Sequence, residues 1–199
     1  MPTRRRDAQA GRAAATRARI VDAAGPLFVA RGYLDTTMAG IAQAAGVAVQ
    51  TLYLSFGSKA SVLEAALAHS RRDEPIGDPH PPAGDGQGVL AAHVSASAAE
   101  VERQHPLDAV LRAAAADPEP AQLLHRRRAL ALARHAATVD TVAEAPGFTT
   151  VLSLARATDV LAVLLAPETY EQLVVRQGWT APDWSQWALS HALSDLFPV

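Results

Sequence analysis

The sequence predicts an all-α protein, in which a small N-terminal three-helix unit is joined to a larger C-terminal helical one. Three observations predict it. Apolar residues make up 49% of the 199, yet aromatics are only 5%, and Ala and Leu outnumber the β-branched and aromatic types that strands prefer. Apolar positions recur at the helical period of 3.6 rather than alternating. Residues that start and stop helices stand between the periodic segments.

The elements follow in order. Over Arg12–Ala30 the residues Ile20, Ala23, Ala24, Leu27 and Phe28 fall on one helical face, and Gly32 stops that helix. Thr36 and Thr37 offer an N-cap for a short helix to Ala45, which Gly46 ends; a second short helix covers Val49 to Ser55, and Ser58 caps a longer one. Half of the stretch Asp73–Gly88 is Pro or Gly, so it reads as a mobile loop. Beyond it, helices are expected near 89–104, 107–115, 118–138, 148–165, 168–177 and 182–197. Asp117-Pro118 and Thr180-Pro182-Asp183 mark two helix starts, and Gly178 one end. The domain boundary falls between 1–58 and 59–199.

Charge is unevenly spread. Residues 1–59 carry eight Lys and Arg against three Asp, a net +5, so the remainder of a chain at net −2 carries −7. The asymmetry suits a polyanion-binding module on an acidic body, or else a functionless surface. Arg4, Arg5, Arg6, Arg12 and Arg17 precede the first apolar face; they form either an arm that reaches the minor groove or flanking backbone of DNA, or a solvated tail.

Met38 to Ser55 has the spacing of a helix-turn-helix. Ala42 leaves room for a second helix to cross closely, Gly46 permits the left-handed backbone of the turn, Leu52 plugs the interface, and Ile41 and Val47 complete the small core.

Around this motif, Arg17 to Leu63 resembles the DNA-binding domain of the TetR family. The matching residues are the Ile20, Ala23, Ala24, Leu27, Phe28 face, Gly32-Tyr33, Thr36-Thr37, Ile41-Ala42, Ala45-Gly46-Val47, Thr51-Leu52-Tyr53, Phe56 and Ser58-Lys59. The stretch APETYEQLVVRQGWTAPDWSQWALSHAL is also similar to the tail of many members.

The resemblance implies a transcriptional regulator, a repressor released from a palindromic operator by a small molecule. Val49–Ser55 is then the recognition helix in the major groove, with Ala48, Val49, Gln50 and Leu54 near the bases. Gln50 suits adenine, because an amide can pair with it bidentately. Thr37, Thr51, Tyr53 and Lys59 are expected on phosphates, and the Tyr53 ring is also free to pack in the core. Two residues depart from the family pattern. Many members carry a small polar residue at the position of Ala48 and a polar or aromatic one at that of Leu54. Without a hydroxyl at 48 the recognition helix lacks a side-chain N-cap, and Leu54 can touch only a thymine methyl. The preferred operator therefore does not transfer from relatives.

The resemblance further implies that the C-terminal helices enclose an effector and that the helices near 148–165 and 182–197 pair with a second subunit. Their apolar residues fit a homodimer or an ordinary core: Val151, Leu152, Leu154, Ala155, Leu161, Val163, Leu164 and Leu165 in the first, and Trp184, Trp187, Leu189, Leu193, Leu196 and Phe197 in the second. Candidate ligand residues are His93, Arg112 and Asp159, with His105 a further histidine. Asp159 sits among apolar neighbours and is expected to need a partner, such as Arg112, Arg127 or Arg134.

The absence of Cys removes disulfides, thiolate zinc sites and cysteine nucleophiles. No H-E-x-x-H, G-x-S-x-G or phosphate-loop pattern is present, so neither catalysis nor a metal or other cofactor is expected. No apolar run approaches a membrane span, and a cytoplasmic protein is expected. The competing reading is a helical ligand-binding or interaction protein that has lost specific DNA binding.

Overall fold

The computed structural model describes residues 3–70 and 84–198. Its elements are α1 (Thr3–Asp35), α2 (Met38–Ala45), α3 (Val49–Phe56), α4 (Lys59–His69), α5 (Gly86–Ala113), α6 (Pro118–Val142), α7 (Leu154–Leu164), α8 (Pro167–Tyr170) running into a π-helical stretch Glu171–Arg176, and α9 (Ala181–Leu196). The described residues contain no strand, and the chain has the all-helical class its composition predicts. No single described helix is long and apolar enough to cross a membrane.

The chain forms two compact units, which do not divide at 58/59. The first comprises residues 1–73 and 106–124, the second 74–105 and 125–199. In the first, Ile20, Ala24 and Phe28 of α1, Ile41 and Ala42 of α2, Leu52 of α3 and Val62, Leu63 and Leu67 of α4 form one core with Leu107, Leu111 and Leu123. α4 therefore packs with the N-terminal helices rather than with the larger body, and residues 106–124 complete their core.

Several boundaries differ from expectation. α1 starts at Thr3 instead of Arg12, because the intervening Ala, Arg and Gln residues are good helix formers. Arg4, Arg5 and Arg6 thus lie on a helix rather than in an extended tail. Gly32 breaks α1 with φ 75° and ψ 177°, and one further turn follows to Asp35. Of the loop expected at 73–88, residues 73–83 lie outside the described residues. Gly86 to Gly88 are helical, because Asp85 Oδ1 accepts from Gly88 N at 2.8 Å and caps α5. The expected helices 89–104 and 107–115 are one, with Pro106 inside. Proline removes one backbone bond there, a loss offset by burial of Leu107 and Leu111.

The second unit is built on Leu90 and Val94 of α5, Val139 and Val142 of α6, Ala157, Leu161 and Leu164 of α7, and Ala188, Ala192 and Leu196 of α9. Residues 148–153, expected to be helical, are not: Thr149 N donates to Leu196 O at 2.8 Å, and Ser153 supplies the N-cap by accepting from Arg156 N. α9 begins as its sequence predicts, with a Thr180–Asp183 capping box. Much of the apolar surface expected to face a partner is the chain's own core. Leu161, Leu164, Leu165, Trp184, Leu196 and Phe197 are buried within the unit, leaving Val151, Leu154, Ala155 and Val163 exposed and Leu152, Trp187, Leu189 and Leu193 half-buried.

Candidate nucleic-acid interface

α2 and α3 are turned 107° from one another, within the range of a DNA-reading helix pair. The turn depends on Gly46, whose φ of 64° and ψ of 40° lie in the left-handed region that side chains disfavour. In this geometry Gly46 N donates to Ala42 O and Gln43 O, and Val47 N reaches Ala42 O at 3.0 Å. Ile41, Ala42 and Leu52 are fully buried, and Val47 packs against them. The residues singled out as the core of this motif are thus brought together.

Both N-caps of the pair match the sequence reading. Thr37 Oγ1 accepts from Gly40 N at 3.1 Å, while Ala48 has the extended backbone of an N-cap and no side-chain bond. Thr36 is buried and donates to Gly32 O at 2.7 Å, which fastens the end of α1 ahead of α2.

α3 carries Leu52 and Phe56 inward and turns a different face outward. Val49, Gln50, Tyr53 and Leu54 are exposed, Leu54 at 82% and Tyr53 at 50%. Thr51 is half-buried. Tyr53 is therefore a surface residue rather than a core one. A helix that leaves a Leu, a Val and a Tyr in water presents more apolar surface than folding accounts for.

Two cations expected to reach outward are turned to the unit itself. Lys59 Nζ donates to Tyr33 O at 2.6 Å and Leu34 O at 3.4 Å, and lies 4.2 Å from the Tyr33 ring centroid. Burial holds this ammonium below its ordinary pKa, with Asp117 and Asp35 acting in the opposite direction. Arg17 is not part of a free arm: its Nη1 donates to Ser55 O, and its guanidinium lies 4.0 Å over the Phe56 ring. A cation at the C-terminal end of α3 complements the negative end of the helix dipole. Sequence reasoning missed this clamp, since no local pattern links positions 17 and 55.

The three candidate ligand residues have separate surroundings. Arg112 belongs to the first unit and pairs with Asp108 one turn away. Asp159 is exposed on α7, so it needs no partner; Arg127 bonds Gln104 and Arg134 pairs with Glu100 instead. His93 lies in the second unit, where its Nε2 is 2.8 Å from His135 Nδ1 and its Nδ1 2.9 Å from Thr138 Oγ1. Burial pushes both imidazoles down, His135 to about 4, and the charges of His93 and Arg134 depress His135 further against the pull of Glu100. His135 and Thr138 are three apart on α6, a spacing that puts them on one face, but nothing local in the sequence ties them to position 93.

Residues 20–66 match a family described as bacterial regulatory proteins, tetR family. The HTH-type transcriptional regulator SrpR of Pseudomonas putida is 48% identical over 59 residues, which are 30% of this chain and 28% of SrpR. The chain thus matches under a third of that relative's length. Among solved structures, NalD, the secondary repressor of the MexAB-OprM multidrug efflux pump in Pseudomonas aeruginosa, superposes with a TM-score of 0.68 at 16% identity, covering 93% of this chain and 98% of NalD. SmeT in complex with triclosan gives 0.68 at 20% identity, covering 92% of both chains. The matched segment coincides with the helix-turn-helix built above and is similar to that of the tetR family of bacterial regulatory proteins, and the chain as a whole shares the fold of those solved structures.

Proposed function

We propose that this protein is a transcriptional repressor that binds a palindromic operator as a homodimer and leaves it when a small molecule occupies the second unit. The observation that carries the reading is the outward face of α3, which is held at 107° to α2 and exposes Val49, Gln50, Tyr53 and Leu54. Such a face enters the major groove with the N-terminal turn toward base edges. Gln50 pairs with adenine, and Val49 and Leu54 make apolar contact with thymine methyls. Ala48 allows close approach of the backbone. Thr37, Thr51 and Tyr53 donate hydroxyl protons to phosphates, and Lys59, with two of its three protons held by α1 carbonyls, has one left for the same purpose.

A palindrome calls for a two-fold pair of reading helices. α7 and α9 supply the pairing surface through Leu154, Val163, Leu189 and Leu193. The effector acts through the helical body, where His93 and His135 offer polar contacts, and DNA weakens effector binding by the factor that effector weakens DNA binding. NalD is a repressor and SmeT is seen with triclosan, which supports this reading. The role is binding rather than catalysis, carried out in the cytoplasm.

Fluorescence anisotropy against the duplex immediately upstream of the coding region, beside a scrambled duplex, tests the proposal. Saturation at two subunits per site, tighter than on the scramble, is expected. Equal binding to both duplexes at every salt concentration, with no tighter site recovered from selected genomic fragments, would overturn it.

A further inference from the structure

The positive charge of the reading unit is not on its helix-turn-helix. Residues 20–59 hold Arg31 and Lys59 against Asp22 and Asp35, a net charge of zero, and Lys59 is engaged with the carbonyls of Tyr33 and Leu34. The +5 carried by positions 1–59 resides wholly in positions 1–19, where Arg4, Arg5, Arg6, Arg12, Arg17 and Arg19 stand against Asp7. Affinity for duplex DNA comes largely from cations that displace condensed counterions from phosphates, so a neutral α2–α3 pair lacks the main source of that affinity.

The described side chains at the start of the helix that carries this charge are not packed. α1 runs from Thr3, and Arg6 and Gln9 to Ala15 are exposed; among the described side chains the first buried one is Ile20. The helix rises about 25 Å from Thr3 to Ile20. A helical stretch exposed in this way draws little stability from a core.

Its orientation relative to α3 can be read from Arg17, whose guanidinium lies on the C-terminal end of α3. Arg6 is eleven positions earlier, three turns back and about 20° around the axis, so it shares the face of Arg17 about 16 Å further along. Arg6 therefore continues the side of α1 that meets the reading helix, while positions 4, 5 and 12 lie about 120–140° around the axis from it, so the basic residues surround the exposed stretch.

We propose that residues 3–16 of α1 form a second DNA-binding element, which lies along the phosphate backbone beside the groove that α3 enters and supplies most of the salt-dependent affinity. The inference rests on the proposed DNA-binding function, but it concerns backbone affinity rather than sequence selection.

The test is the full chain beside an Arg4→Ala, Arg5→Ala, Arg6→Ala, Arg12→Ala variant. Both are titrated by anisotropy against the upstream and scrambled duplexes between 50 and 200 mM salt, after thermal melts establish that both are folded. Four lost phosphate contacts lower the slope of log K against log salt by about 3.6, which is roughly a hundredfold smaller loss of affinity over that range. A drop of about one or more on either duplex, with the ratio between duplexes retained, supports the inference. Equal slopes for the two proteins overturn it, as does a parent that binds neither duplex. A parent that binds both duplexes equally, with a slope that still falls in the variant, sinks the repressor reading and leaves this one standing.

Discussion

Acidification should destabilise the second unit through the His93–His135 pair. His135 is 6% exposed and donates to or accepts from His93 at 2.8 Å, an arrangement that accommodates one proton between the facing nitrogens and not two. Its folded pKa of about 4 lies below its ordinary 6.5. The unfolded chain therefore binds more protons below pH 6.5, and the stability linked to this group is complete above that value, declines as pH falls, and is gone near pH 4. The gap corresponds to about 3.4 kcal/mol at most, and screening by solvent at the edge of the pair reduces it. His93 adds in the same direction, since its pKa is also lowered by burial and by Arg134. Urea unfolding followed by circular dichroism at pH 7, 6, 5 and 4.5 would measure the decline, beside His135→Asn, which keeps a polar group of similar shape without the proton. The variant should be less stable than the parent at pH 7 but show a shallower loss toward pH 4.5. Parallel stability-against-pH curves for parent and variant would refute the reasoning.

Three further outcomes follow from the first unit. Gly46→Ala should cost about 1–2 kcal/mol in chemical denaturation, because the added Cβ meets no atom within 4 Å and the loss comes from the left-handed backbone alone. Ala48→Ser should stabilise the protein by about 1 kcal/mol in the same assay, since the backbone at 48 already has N-cap geometry and lacks only the acceptor. Gln50→Ala should reduce the preference for the upstream duplex by about 1–3 kcal/mol while leaving binding to the scrambled duplex unchanged, as read by anisotropy.

The helix-turn-helix was legible because its constraints are local and steric. Ala42, Gly46 and Leu52 have few substitutes at a close crossing, a left-handed turn and a plugged interface, and all three are where their spacing puts them. The start of α9 was legible for the same reason, as Thr180 and Asp183 bond each other's backbone across three positions. Helical periodicity alone misled elsewhere. The apolar residues of α7 and α9 repeat correctly, but a period does not say whether a face meets the chain's own core or a second subunit, and Trp184, Leu161 and Leu196 went to the core. The isolation of Asp159 among apolar letters suggested burial, whereas its helix turns that position to water. His93 meets His135 and Thr138, and Arg17 meets Ser55, across sequence separations that no local pattern encodes.

The discontinuity of the first unit limits how the protein can be recombined. Leu107, Leu111, Ala114 and Leu123 belong to the same core as Ile20, Phe28, Ile41 and Leu52, so the reading head is not a cassette that ends where α4 ends. A chimera made by exchanging only positions 1–70 would set a foreign head against native 106–124 and strand a hydrophobic seam between mismatched halves. Specificity swaps among relatives should therefore transfer two segments of sequence together, and natural exchange of such heads by a single crossover would be selected against for the same reason.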